Sequence, residues 1–254
     1  MARIGVLVPS QRPQNIARLA QTMSATCQGD TALIVGVDAD DPKLGEYHVT
    51  DPELMTPSFR RIQFVSHQKL KKVVPWMNRL ARDFAGQFDI VGHVGDDNTF
   101  DTPGWDLEVA RALEETPFAF GNDLYPRPPG SLCCHIFMRS EVVHRLGYMG
   151  PPVLKHMYVD PVWMAWGKAT GITYLHHVQI EHHHYSNHKA VFDISYANST
   201  GVMAEDFAAY GQYCRRSADG QSQLNKDILK IDPDGRQYTD EELATFQRGL
   251  SIEW

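Results

Sequence analysis

The feature that most constrains this chain is an alternation through its first two thirds. Short apolar runs of strand length are separated by segments whose apolar residues recur at helical spacing. "RIGVLVP", "ALIVGVD", "IQFVS", "FDIVGHV" and "FAFGN" are of the first kind; "IARLAQTMSA", "VVPWMNRLARDFA" and "WDLEVARALEE" are of the second. Strands that are apolar without a break need cover on both faces, and crossover helices between them supply it. The pattern predicts an α/β domain with a mostly parallel central sheet flanked by helices. At 254 residues, 43% of them hydrophobic, the chain is long enough to bury one large core.

Further along, "SLCCHIFMRS" and "ITYLHHVQIEHHHY" fit strands. "EVVHRLG" and "DPVWMAWGKA" fit helices closed by Gly147 and by Gly167 or Gly171. Beyond about residue 190 the strand signals stop. "GVMAEDFAAYGQYCRRSA" has the pattern of an amphipathic helix, and Thr239 followed by Glu242 has capping-box spacing. The expected organisation is a main domain over 1–190 and a helical extension over 191–254 packed on that same domain.

Charge and composition narrow the functional classes. A net charge of −7 speaks against a broad nucleic-acid surface, which needs clustered Lys and Arg, although "HQKLKK" is a local basic patch. No run approaches the roughly eighteen apolar residues of a membrane-spanning helix, and "MARIGVLVPS" enters a strand without a signal-peptide core. No membrane span and a cytoplasmic location are therefore expected. Cys27, Cys133, Cys134 and Cys214 lack C-x-x-C spacing and are expected to be buried thiols.

In an open parallel sheet, ligands bind outside the carboxyl ends of the strands, so polar residues that end apolar runs mark the site. Four groups stand out: Pro9, Ser10, Gln11 and Arg12; Asp38 and Asp40; Asp96, Asp97 and Asn98; and Glu181 through His184. Three consecutive oxygen-bearing side chains suit a hard divalent cation that also binds phosphate oxygens, and they equally suit a polar turn. Along a strand His182 and His184 share a face while His183 points away, so one imidazole of that pair can complete a metal site begun by Asp97. Asp38 and Asp40 are placed to accept hydrogen bonds from a ribose or a base edge. No G-x-G-x-x-G or phosphate-binding P-loop is present, which leaves diphosphate charge to a metal helped by Arg12 or a lysine such as Lys72. Asp160 sits at a helix start, as a cap favoured by the helix dipole or as a general base. Trp163 and Trp166, three apart, offer an aromatic face or core packing.

Taken in order, "VLVPSQRP", "GVDADDP", "GDDNTFDTPGWD", "GND" at Gly121 to Asp123, "HMYVDPVW" and "IEHHHY" resemble the motifs of GT-A-type, family-2-like glycosyltransferases. The resemblance is greatest to the compact enzymes of bacteriophages and actinobacteria, and it covers residues 4 to about 193. It implies the GT-A fold and a nucleotide-sugar donor, in first place a UDP-sugar, with Mn²⁺ or Mg²⁺ bridging its diphosphate. Carried over by position, Pro9, Ser10, Arg12, Asp38, Asp40, Lys72 and Asp96 would meet the nucleotide, with Asp96 also in reach of the metal. Asp97, Asn98 and His182 or His184 would hold the metal, and Asp123 and Trp163 the sugar or acceptor. Asp160 would be the base of an inverting displacement. Asn98 departs from the usual acidic triplet, being a neutral and weaker ligand. The implied acceptor is a hydroxyl of a modified DNA base, a virion protein or a cell-surface glycan. Two other functions suit the same residues: a nucleotidyltransferase, disfavoured by the missing glycine-rich basic loop, and a non-catalytic sugar-binding virion accessory protein whose carboxylates hold Ca²⁺.

Overall fold

The structure, a computed structural model, describes residues 1–47 and 55–249; residues 250–254 of the expected extension lie outside it. β1 (Arg3–Pro9), β2 (Asp30–Gly36), β3 (Phe59–Val65) and β4 (Ile90–His93) form a parallel half-sheet in the order β3-β2-β1-β4. Ile4, Val6, Leu7 and Val8 of β1 are buried on both faces, which is why that run is apolar throughout and does not alternate. β7 (Ile136–Arg139) then runs antiparallel to β4. β6 (Phe118–Asn122), β8 (Ile172–His182) and β5 (Asn98–Phe100) complete an eight-stranded sheet in the order β3-β2-β1-β4-β7-β6-β8-β5. β6 and β8 are parallel, whereas β7 and β5 oppose their neighbours, so the sheet is parallel in its first half and mixed beyond.

Helices pack on both faces. α1 (Pro13–Thr26) and α3 (Trp105–Glu115) bring Ile16, Leu19, Met23, Trp105 and Val109 against Val6, Val8, Leu33 and Val35. α2 (Val73–Phe84), α4 (Ser140–Leu146) and α5 (Val159–Thr170) cover the other face with Trp76, Leu80, Val142, Val162 and Trp166 against Leu7, Ile34 and Val91. α4 and α5 stop where Gly147 (φ 84°) and Gly171 (φ 114°) take conformations that L side chains resist. Gly167 lies inside α5, where an added Cβ would meet Ile172 at 2.6 Å.

The extension consists of α6 (Ile194–Thr200), α7 (Met203–Cys214), α8 (Gln223–Ile231) and α9 (Asp240–Gly249). Tyr210, Tyr213, Leu224 and Ile228 enter the same core as α5, so α7 and α8 are continuous with the main domain's interior. At the start of α9 the Thr239 N–H donates to Glu242 Oε2 (2.9 Å) and the Glu242 N–H to Thr239 Oγ1 (3.4 Å), the reciprocal pair expected from the spacing. The run "SLCCHIFMRS" is extended strand only from Ile136; residues 131–135 form a loop. Among the described residues no helix is long and apolar enough to cross a membrane.

Candidate active site

The carboxyl ends of β1, β2 and β4, with the end of β8, open onto two adjoining cavities. The larger, about 310 Å³, is bordered by Arg12, Asp96, Asp97, Asp160, His182 and Tyr196. The smaller, about 90 Å³, is bordered by Ser10, Asp38, Lys72 and Trp76, and shares Arg12, Asp96 and His156 with the first.

Strand register assembles the acidic and histidine motifs. β5 pairs antiparallel with β8, setting Asn98 opposite His182, and the His183 N–H donates to the Asp97 carbonyl at 2.9 Å. This brings Asp97 Oδ1 within 3.4 Å of His182 Nε2. His183 turns to the other face, where its Nε2 meets Thr99 Oγ1 (3.0 Å) and Glu181 Oε2 (3.3 Å). His182 and His184 both face the large cavity, their ring centroids 5.2 Å apart. The alternation along a strand thus separates the three imidazoles.

Arg12 follows β1 and reaches across to both carboxylates. Its Nε bonds Asp96 Oδ1 at 2.9 Å, its Nη2 bonds Asp96 again and Asp97 Oδ2 at 3.0 Å, and Ser10 Oγ donates to Asp96 Oδ2 at 2.7 Å. Burial works against ionisation of Asp97, but His182, Arg12 and Tyr196 outweigh it and hold the carboxyl well below the usual range. Burial lifts Asp96, and the neighbouring Asp97 anion adds to this against the pull of Arg12. His93, His156 and His184 are each driven by burial to about 4, so neutral imidazoles line the large cavity at these positions.

The small cavity is organised by Asp38. Its Oδ1 accepts from Trp76 Nε1 (3.1 Å) and from the Lys71 N–H (3.0 Å). Trp76 can lie there because β2 ends in Gly36, where a Cβ would come within 2.6 Å of the indole. Lys71 itself has φ 59°, strained for a side chain with a Cβ. Lys72 borders the cavity and donates from Nζ to the Asn198 carbonyl at 3.2 Å.

Asp160 lies in the first turn of α5 and borders the large cavity. Burial raises its carboxyl to about 6, opposed by a hydrogen bond from the Cys134 thiol and by Arg127. Arg127 donates from Nη2 to Cys134 Sγ (3.1 Å) and pairs with Asp123. The segment leading into α5 contains Tyr158 at φ 66°, and it is anchored from the extension. The buried Asp206 carboxylate of α7 accepts from the N–H groups of Lys155 (2.8 Å), His156 (2.8 Å) and Met157 (2.7 Å). The strained entry into α5 is thereby overdetermined by its surroundings.

Pro9, Ser10, Arg12, Asp38, Lys72, Asp96, Asp97, Asn98, Asp160, His182 and His184 all border one cavity or the other. Three expected site residues do not. Asp40 points to solvent and pairs with Lys69 and Lys71, because the turn after β2 reverses it away from the crevice. Trp163 lies on the core face of α5, fully buried, with Nε1 donating to the Met149 carbonyl at 2.8 Å. Asp123 sits behind the wall as the partner of Arg127, and its carbonyl accepts from the His182 N–H at 3.0 Å. Asn98 borders the cavity at the start of β5, and its Nδ2 donates across to the Glu181 carbonyl of β8 at 3.3 Å, a cross-strand bond and not the local bond of a turn residue. Cys27, Cys133 and Cys214 are buried thiols, but Cys134 is only partly buried and opens on the cavity.

Sequence reasoning passed over His93, Tyr125, Arg127, Cys134, His156, Tyr196 and Asp206. Only His93 carried a usable signal, since it ends an apolar strand just as Asp38 follows one. Tyr196 donates to Asp97 Oδ2 at 3.0 Å across 99 residues of chain, and nothing local announces it.

The donor set fits a divalent cation of the kind that is held jointly with a phosphate ligand. Asp97 contributes oxygen, His182 contributes nitrogen and has a buried Nδ1 without a partner, and His184 stands beside it. Among the described residues no group of three His, Cys, Asp or Glu side chains is arranged to hold a metal by itself. A carboxylate oxygen beside imidazole nitrogens suits an ion whose shell is completed by substrate phosphates and water.

No protein-family model matches this chain, and no curated protein matches it in sequence. Solved structures do match in shape. Residues 1–349 of TarS from S. aureus superpose with a TM-score of 0.62 at 10% identity, covering 99% of this chain and 72% of that one. The same fragment in complex with UDP-GlcNAc gives 0.59 at 11% identity, over 99% and 73%. The mannosyltransferase PcManGT from Pyrobaculum calidifontis, in complex with GDP-Man and Mn²⁺, gives 0.59 at 11% identity, over 99% and 81%. The fold is GT-A. Likeness at this identity establishes the architecture of the chain.

Proposed function

We propose that this chain is a metal-dependent, inverting glycosyltransferase that moves a sugar from a nucleoside-diphosphate-sugar to a hydroxyl acceptor. The observation that carries the proposal is one of placement. A fixed acidic residue for a base edge (Asp38), a guanidinium for a diphosphate (Arg12) beside groups for its metal (Asp97, His182), and a carboxyl with a midpoint near 6 (Asp160) border two cavities that share a wall. In this reading the nucleoside enters the small cavity, where Trp76 and the Lys71 N–H hold Asp38 in place to accept from the base. Arg12 lies where the cavities meet and offers its planar fork to the diphosphate.

Asp160, ionised above about pH 6, takes the proton of the acceptor hydroxyl while that oxygen bonds to the anomeric carbon. The bond from that carbon to the diphosphate oxygen breaks, and a nucleoside diphosphate leaves. One displacement on one carbon inverts its configuration. When bound, Mn²⁺ or Mg²⁺ held by Asp97 with His182 or His184 supplies Lewis-acid stabilisation of the departing diphosphate.

The motif resemblance to the compact phage and actinobacterial enzymes suggests a UDP-sugar donor and a modified DNA base, protein or glycan acceptor. Charge orders these acceptors. Lys69 and Lys71 of the one basic stretch pair with Asp40, which leaves that patch little charge for a phosphate backbone. A protein or glycan hydroxyl is therefore placed ahead of DNA.

Incubation with UDP-glucose, UDP-GlcNAc and GDP-mannose, with and without Mn²⁺, should release nucleoside diphosphate in the presence of metal. Absence of both turnover and nucleotide binding under every metal condition would refute the proposal. Pyrophosphate release from a nucleoside triphosphate would mark a nucleotidyltransferase. Sugar binding without turnover, indifferent to Asp160→Asn, would mark a binding module. Mass analysis of proteins, glycans and DNA after reaction identifies the acceptor.

A further inference from the structure

Within the chain itself both oxygens of Asp97 are already engaged. Its Oδ2 accepts from Tyr196 Oη and from Arg12 Nη2, each at 3.0 Å, and its Oδ1 faces His182 Nε2 at 3.4 Å. The same guanidinium bonds Asp96, approaches Asp193 Oδ2 with Nη1 at 3.7 Å and stands 5.1 Å from the Tyr196 ring centroid. Only 13% of the Arg12 side chain is exposed. A divalent cation that takes Asp97 as a ligand meets a positive group already on that carboxylate. Two cations on one buried carboxylate repel strongly where water is scarce. Moving Arg12 aside without a replacement strands Asp96 as a buried carboxylate with no cation, which is also unfavourable.

We propose that Arg12 is a built-in counter-ion that competes with the divalent metal for Asp97, and that a nucleoside diphosphate relieves the competition by drawing the guanidinium onto its own oxygens. The inference rests on the functional reading above, since it takes the site to bind both ligands. The position of Arg12 favours it. The residue borders both cavities, so a rotation of its side chain exchanges carboxylate oxygens for phosphate oxygens without backbone movement. A planar guanidinium serves either partner through the same paired N–H groups. Metal and nucleotide then bind with positive coupling, and by linkage each raises the affinity of the other by the same factor. Tyr196 and Asp193 extend the device, because release of Arg12 also removes its contacts to α6 and to the residue that caps that helix.

Mn²⁺ binding to the full chain, followed by electron paramagnetic resonance of the free ion, tests this with and without UDP or GDP and with correction for metal bound to free nucleotide. The wild type should bind Mn²⁺ weakly alone and at least about tenfold more tightly with nucleotide. Arg12→Met should bind Mn²⁺ alone at least about tenfold more tightly than the wild type, and its coupling factor should fall by a similar amount. Arg12→Lys keeps a charge but cannot span both carboxylates; it should lie between, at roughly threefold tighter than the wild type. It serves if Arg12→Met does not fold, as judged by circular dichroism. If the wild type binds both ligands and the variants take up Mn²⁺ no more tightly than it does, the counter-ion proposal is overturned while the functional reading stands. If neither Mn²⁺ nor nucleotide binds to any of these proteins, both fall together.

Discussion

Replacing Asp160 by Asn should make the protein more stable at neutral pH while removing its transfer activity. Burial raises the Asp160 carboxyl from its ordinary 3.8 to about 6. Ionising it in the folded state is therefore penalised by about 3 kcal/mol at the outer limit. Asp160 is only partly buried, so solvent screening reduces the realised penalty to on the order of 1–2 kcal/mol. Its place in the first turn of α5 returns about 0.5 kcal/mol through the helix dipole. The net expectation is about 1 kcal/mol in favour of Asn, or about 2–4 °C in Tm for a chain of this size.

The sign follows from proton linkage. A carboxyl with a folded-state pKa above its unfolded value holds its proton more tightly when folded, so the penalty is absent below about pH 4. It accumulates as pH rises through about 6 and is complete above that. Thermal unfolding of both proteins between about pH 4 and pH 8 should thus show a stability difference that grows with pH. In the transfer assay the wild-type rate should climb along an acid limb with its midpoint near 6. The variant should lose roughly 10²–10⁴-fold, the share a general base supplies, with nucleotide affinity unchanged. A variant less stable than the wild type at pH 7.5, or a difference that does not vary with pH, refutes an ionised, desolvated base at this position.

Three further outcomes are expected. Asp206→Ala leaves the N–H groups of residues 155–157 without their acceptor and should lower stability in urea by about 3 kcal/mol; transfer should fall more than about tenfold as the entry to α5 loosens. Asp206→Asn, which keeps one oxygen, should lose less by both measures. Gly36→Ala places a methyl group 2.6 Å from the Trp76 ring. It should lower stability by about 1–3 kcal/mol and weaken calorimetric nucleotide binding as the indole is pushed off Asp38. Asp38→Asn should weaken UDP or GDP binding by roughly tenfold, the worth of one hydrogen bond to a charged group, whereas Asp40→Asn should leave it within about twofold. Equal effects of the last two substitutions would contradict the placement of Asp40 outside the site.

Much of the architecture was legible from period alone. Residues 3–9, 30–36 and 90–93 are strands buried on both sides, and a strand that must be apolar at every position leaves an unbroken run in the sequence. Asp38, Asp96 and Asp97 were legible for a related reason: a carboxylate directly after such a run stands at the crevice at the strand ends unless the chain turns it away, as it does Asp40. The separation of His183 from His182 and His184 also followed from local geometry, because strand side chains alternate. The antiparallel insertion of β7 left no comparable mark, since pairing direction changes neither period nor composition.

Local sequence also misled where two environments accept the same residue type. Trp163 and Asp40 have chemistry suited to a ligand site, yet one helical turn sends the first into the core and one reversal of chain sends the second to solvent. Tyr196 and Asp206 illustrate the opposite failure. Asp206 lies in a helix that reads only as amphipathic and Tyr196 in a short helix with no signal of its own, and each meets its partner across about fifty residues or more. Strand and helix identity, and which carboxylates end the strands, were thus settled by the chain's own order, because burial and backbone period act over a few residues. The closing of the site by Tyr196 and Asp206, the locking of Asp97 by Arg12 and the desolvation that brings Asp160 near neutrality were decided only by tertiary structure, because hydrogen bonding and dielectric depend on what packs nearby in space.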